Sequence, residues 1–260
     1  MKKIEINILL FVLIEAFFLL YGIHTNLINI LIGTILGLIL TLVFSKLKKN
    51  TIMKYILLII TILLSFSVTI RISLFITHNL LKNYSVFLVI ISLLIISFFL
   101  IKNNYHGFIK SVELIFYFFI LIKIISLVLV IPNINLEYFN INLLEELNPN
   151  TNIIFIALII LYLHQSIYYL CDYILDKKIY IISIINPIIM KLLAITIIGR
   201  TLFNLYKYPY VNILKSIKYL NFFERMEGIL SFEYLFSFIT LLAFLLLIIK
   251  SIIKKTVNYL

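Results

Sequence analysis

Tyr208-Pro209-Tyr210-Val211-Asn212-Ile213-Leu214-Lys215-Ser216-Ile217-Lys218 leads through Phe222-Phe223-Glu224-Arg225-Met226-Glu227 into an apolar segment that runs to Lys250. The first part sets basic residues beside aliphatic ones at helical spacing, the pattern of a helix lying on a membrane surface. The second part gathers two acids and an arginine where a new apolar run begins. Glu224, Arg225 and Glu227 enter lipid only at high cost, so they fix where that helix starts. The run itself is long enough to cross a hydrocarbon core, which takes roughly 20 residues. A chain that ends this way needs earlier spans to bring it to the correct side of a membrane.

The rest of the chain has the composition for that. Of its 260 residues 63% are hydrophobic and only 13% are charged, and the mean hydropathy is +1.17. A soluble domain carries nearer 25% charged residues, roughly. The apolar runs are continuous and do not alternate, which argues against a β-barrel. The expected fold class is therefore all-α, a polytopic transmembrane helical bundle forming one integral membrane domain over residues 1–260. The net charge of +11 would suggest nucleic acid in a soluble protein. Here most lysines fall in short loops between spans, which suits topology and anionic lipid instead. A single cysteine, Cys171, excludes an internal disulfide and a thiolate metal cluster. Met1-Lys2-Lys3 precedes a long apolar run without a small-residue cleavage site, so no cleaved leader is expected.

The hydropathy pattern predicts about eight spans, near residues 5–21, 27–45, 55–77, 86–102, 111–132, 153–175, 179–200 and 229–249. Lys2 and Lys3, Lys46 to Lys54, Lys102 and Lys110, Lys177 and Lys178, and Lys250 to Lys255 then fall on one side. The positive-inside rule makes that side the cytoplasm and puts both termini there. The basic connection 200–228 departs from the rule. A surface or re-entrant amphipathic helix accounts for it, and a missed pair of spans is the other account.

Polar residues inside the spans mark candidate sites, because each is costly there. Glu15 lies near the middle of the first span and Lys123 near the middle of the fifth. Glu15 reads as a substrate or proton site, or as a carboxyl bonded to a neighbouring helix. Lys123, stripped of hydration, reads as a proton-exchanging group, or as the structural partner of Glu15 or Glu113. In the sixth span His164, Tyr168 and Asp172 form one stripe at helical spacing, beside Gln165. That stripe faces protein or a wet cavity rather than lipid. Metal binding is not expected, since His24, His78 and His106 sit near span ends, away from His164. Asn29, Gly33, Gly37 and Thr41 make a small-residue ridge on the second span, and Thr61, Ser65, Thr69, Ser73 and Thr77 repeat the device on the third. Arg71, off that ridge, is expected to snorkel. Pro187 permits a kink in the seventh span, where Lys191 repeats the problem of Lys123. No phosphate loop, Ser/His/Asp arrangement or zinc signature is present, so neither an enzyme nor a cofactor is expected.

Tyr208-Pro209, the amphipathic Lys215-Ser216-Ile217 segment and Phe223-Glu224-Arg225-Met226-Glu227 before a final span resemble the endospore germination permease family. So, less specifically, does the segment from Tyr105-His106-Gly107 through Lys110 to Glu113. That family is the integral-membrane B subunit of nutrient germinant receptors, within the amino acid–polyamine–organocation superfamily. The resemblance implies an inverted-repeat amino-acid permease fold of about ten helices, with the first and sixth interrupted around a ligand. This chain would then lack the last two helices, and its first span has only Gly22 where breaking glycines and a proline are expected. It implies a small nutrient ligand, amino-acid-like, bound by Glu15, Lys123, His164 and Gln165. It also implies other receptor subunits as partners and a bacterial cytoplasmic membrane, the spore inner membrane, as location. The alternatives are a non-transporting scaffold docking partners through its outer loops and small-residue ridges, or an unrelated export or immunity component.

Overall fold

A computed structural model describes residues 3–22, 25–44, 51–81, 84–102, 104–139, 151–171, 177–215 and 231–257. The motif Phe222–Glu227, Asp172, His24 and the acidic end of the 132–151 connection lie outside the described residues. Ten α-helices occur among them: α1 (Lys3–Phe17), α2 (Leu27–Phe44), α3 (Thr51–Asn79), α4 (Val86–Ile101), α5 (Asn104–Val130), α6 (Thr151–Cys171), α7 (Lys177–Ile198), α8 (Arg200–Leu205), α9 (Pro209–Lys215) and α10 (Phe232–Val257). There is no strand among the described residues. An apolar run has no water to satisfy its backbone in a bilayer, so each run closes its own hydrogen bonds as a helix.

Seven of these helices are long and apolar enough to cross a membrane. The eighth run, α4, is apolar but has 16 residues, about 24 Å against a hydrocarbon thickness of about 30 Å. The helices present Ile39, Leu63, Phe66, Phe87, Phe99 and Leu114 outward, all exposed. Bulky apolar side chains arrayed around a whole bundle suit acyl chains, not water. The structure is that of an integral membrane protein.

Two helices form the core. In α1 and in α10 67% of the apolar window is buried, the highest share in the bundle. They pack on each other, with α5 and α7 also against α1 and with α3, α4 and α5 also against α10. At the bundle end where α1 starts, Lys250 donates to the carbonyl of Ile101 at 3.0 Å, and Tyr105 meets Cys171. Glu5 is close enough to Tyr105 to act on it electrostatically. The described beginning and end of the chain therefore share one end of the bundle. The opposite end, called the far end below, carries α8 and α9.

Three expectations change on contact with the structure. The fifth helix begins at Asn104, not near 111, so Tyr105-His106-Gly107 is its first turn rather than a loop. Polar residues and a glycine cost little in a terminal turn, and their polarity alone did not mark a break. Pro187 sits inside α7, within the seventh span as expected, and the helix continues to Ile198. Of the two helices that the resemblance implied to be interrupted, α6 runs unbroken from Thr151 to Cys171, and the first span ends in a π-helical turn at Phe18–Gly22, without proline. Arg71 is exposed but does not only snorkel. It donates to the carbonyl of Leu20 in that π-turn at 3.0 Å and lies 4.3 Å from the Tyr21 ring centre. A wider turn frees carbonyls from the helical ladder, and a guanidinium is a strong donor to one.

The ridge on α2 is filled from within the chain. Asn29, Gly33, Gly37 and Thr41 are buried against α6. A methyl group at Gly33 would meet the Ile153 carbonyl at 2.9 Å, and one at Gly37 would meet the Ile160 Cβ at 2.9 Å. The hydroxyls of the α3 ridge donate mostly to their own helix, as Thr61 does to Leu57 at 2.6 Å. Thr61 also bonds the Tyr162 hydroxyl of α6 at 2.9 Å.

The 200–228 connection, as far as Lys215, folds into the far end. Gly199 turns α7 into α8 with φ 78°, a left-handed conformation that favours glycine. Phe203, Tyr210, Val211 and Ile213 are buried, and the Tyr208 ring meets Phe75 of α3 edge-on at 5.1 Å. This part packs its apolar side chains into the bundle rather than leaving them exposed. The start of the 132–151 connection lies along the end of α7, where the Asn135 amide donates to the Thr196 carbonyl at 2.9 Å.

Candidate functional site: a buried charge cluster

Glu15 of α1 and Lys123 of α5 form a salt bridge inside the bundle. They are 2% and 5% exposed. The helical pattern explains how both get there. Glu15 sits on a helix buried on nearly every face, among Leu13, Ile14, Ala16 and Phe17. Lys123 follows Phe119 and Ile122, the inward stripe of α5, while Leu121 and Ile124 face outward. Aromatic faces complete the setting: the Lys123 ammonium is 5.2 Å from the Phe119 ring centre and 6.0 Å from that of Phe11. A π-face adds attraction for a cation in a dry site. Glu113, the other acid weighed for Lys123, is half-buried elsewhere on α5.

A third charge joins them. Glu233, in the first turn of α10, is 1% exposed, and Lys123 and Glu15 both act on it electrostatically. Neither of its carboxylate oxygens has a hydrogen-bond partner, and neither does Glu15 Oε2. Buried polar atoms are nearly always satisfied, so these three bare acceptors call for an explanation. Ser237, one turn further along α10, adds a buried hydroxyl without a partner.

Two tyrosines close the far side of the cluster. Tyr210 of α9 and Tyr234 of α10 are buried. Burial, with the charge of Glu15 beside it, holds the Tyr210 hydroxyl above its ordinary range, so it stays a neutral donor. A small crevice of about 20 Å³, room for about one water, lies beside these rings between α5, α7, α9 and α10, with Ser126, Met190, Tyr210 and Tyr234 in its mostly apolar wall.

The four residues read from the sequence as one pocket divide in two. Glu15 and Lys123 come together. His164 is buried too, but its Nδ1 bonds the Tyr180 hydroxyl of α7 at 3.0 Å. Gln165 is next along α6 and partly exposed, since one residue turns the helix by about 100°. Tyr168 is half-buried and has a partner of its own. Glu233, with Tyr234 and Ser237, stands close to the start of the eighth span, and the sequence reading did not assign it to the pocket. Its signal was there: an acid just inside the border of an apolar run. Among the described residues no group of three or more His, Cys, Asp or Glu side chains is arranged to hold a metal ion.

Chemically, the cluster holds two acids and one ammonium away from water. Comparison with protein-family models, with curated proteins and with solved structures found no match to this chain.

Proposed function

We propose that the chain is a permease-like membrane protein that senses or moves a small nutrient, amino-acid-like in character, as its resemblance to germination permeases implies. The observation that carries this reading is the Glu15–Lys123 pair buried in the middle of the bundle. A purely structural protein gains little from such a pair. Its desolvation offsets most of its Coulombic attraction, and apolar residues of similar volume would serve as well. Intramembrane charges facing one another are a usual mark of a substrate or ion path. The π-turn that follows Glu15 adds support, because irregular backbone in a membrane goes with cavities and ligand sites.

In this reading α4 also crosses, giving eight spans. Helix α3 and helix α5 run in the same direction, and the chain between them must return. Both termini then lie on the lysine-rich side, the cytoplasm of a bacterial cytoplasmic membrane. Receptor subunits are its expected partners, and Glu15 and Lys123 contact the ligand, with His164 and Gln165 in a supporting role. A scaffold that docks partners through its small-residue ridge is less well supported, because α6 already occupies the ridge of α2.

The test is uptake of a labelled mixture of the common amino acids into proteoliposomes holding the full chain, compared with empty vesicles. Glu15→Gln and Lys123→Met should each lower uptake by about tenfold or more, a change worth about 1.4 kcal/mol. Uptake unchanged in Glu15→Gln, with the protein inserted normally, would remove the site. No uptake by the unaltered chain would leave sensing to be tested by the shift in thermal unfolding with the same mixture.

A further inference from the structure

We propose that the cluster of Glu15, Lys123 and Glu233 is a binding site for one proton, which resides on Glu233. Glu15 pairs with Lys123, and the buried Glu233 lies within electrostatic range of both, so the fully ionised cluster carries one uncompensated negative charge inside the bundle. An isolated buried charge is far more costly than a neutral group. One proton brings the cluster to neutrality. It also supplies the donor that the bare oxygens of Glu233 and Glu15 lack, since a protonated carboxyl has one O–H to give.

The geometry selects the smallest cation. The crevices at the far end are walled by Tyr210 and Tyr234, and neither has Glu15, Lys123 or Glu233 in its wall. A metal ion would need about six oxygen ligands, and it would have to sit next to the Lys123 ammonium. The groups around Glu233 are few. Helix α1 brings Glu15, α5 brings Lys123, and α10 itself brings Tyr234, on which Glu233 acts electrostatically. Helix α9 brings Tyr210, beside Glu15 and Tyr234. Helix α3 carries Arg71, engaged with Leu20. Helix α4 has no ionisable residue between 86 and 101. On α6, His164 is bonded to Tyr180 and Tyr162 to Thr61.

Release runs as follows. The O–H bond of Glu233 breaks, the proton passes to water, and the electron pair stays on the carboxylate. The cluster goes from neutral to one negative charge, and Lys123 is then shared between two acids instead of held by Glu15 alone. Because Lys123 links α5 to either α1 or α10, protonation would bias how α10 sits against α1. This rests on the cluster being the working part of the protein, as proposed above.

The experiment is infrared difference spectroscopy of the full chain in lipid, acid minus alkaline, read at the carboxyl C=O stretch. The unaltered chain should show one protonated carboxyl in a dry setting. Glu233→Gln and Glu15→Gln each leave a neutral pair with Lys123, so each should lose that band. Lys123→Met leaves two acids without a cation, so the band should grow about twofold. A band that persists in Glu233→Gln, or no such band in the unaltered chain, overturns the proposal. If Lys123→Met fails to fold, the two glutamine variants decide alone. No solute enters the measurement, so failed uptake with the band intact refutes solute handling only, and a missing band refutes the proton site only.

Discussion

Lys123 and Lys191 pose the same problem and solve it differently. Both are buried ammonium groups inside apolar helices, 5% and 6% exposed. Lys123 meets the carboxylate of Glu15, with Glu233 nearby. Lys191 donates to the backbone carbonyl of Thr25, between α1 and α2, and lies 5.4 Å from the Phe203 ring centre. The first lysine is set among groups that can change charge. The second is set among groups that cannot. Neither partner of Lys191 is ionisable, so Lys191 reads as an anchor that ties the α1–α2 connection to α7 and α8. Under the proposal above, Lys123 belongs to a device with more than one charge state. Both lysines follow from the same rule, that a charge in lipid must find a partner. The nature of the partner separates function from fastening.

That contrast can be broken by substitution, most severely at Lys123. Lys123→Met should lose about 3–5 kcal/mol of stability, because it leaves acids buried without their cation. Chaotrope unfolding in detergent would measure it. Next come the glycines that set the charge-free contact. Gly33→Ala and Gly37→Ala should each cost about 1–3 kcal/mol, since the added methyl meets a carbonyl and an isoleucine Cβ already in place. Lys191→Met should cost less, about 1 kcal/mol, the net worth of an ordinary hydrogen bond. If it matches Lys123→Met, the distinction between anchor and device fails. Glu15→Gln should have the smallest effect on stability, under about 1 kcal/mol, because Glu233 can take over Lys123. A loss there as large as that of Lys123→Met would mean that Glu233 stands too far off to serve. Glu15→Gln would thus separate stability from uptake, leaving the first nearly intact while lowering the second.

Parts of this were legible in the chain and parts were not. The helices were found to within a few residues wherever an apolar run ended in lysines or asparagines, as at Phe44 and Ile101. The start of α5 was missed because Asn104 to Gly107 looks like a loop in composition. In a membrane protein the first turn of a helix can be polar, since it stands in the headgroup region. Glu15 and Lys123 announced themselves as charges within apolar runs, and their pairing was one of the alternatives the residues allowed. His164 was as conspicuous, yet it turns to Tyr180. Glu233 was left out of the pocket because it stands at the border of its run, where an acid ordinarily meets water. Its burial, to 1% exposure, comes from the packing of the bundle, which no window on residues 229–249 can report.

The chain on its own decided that it is a bundle of apolar helices, roughly where most of them run, and which residues lipid would reject. Those properties are local sums: transfer energies add along a run of about 20 residues regardless of what the run packs against. The bundle decided which rejected residues meet. That depends on the rotation of each helix about its axis and on the neighbours set by close packing, as at Gly33 and Gly37. Residues 108 positions apart, Glu15 and Lys123, become partners only through that arrangement.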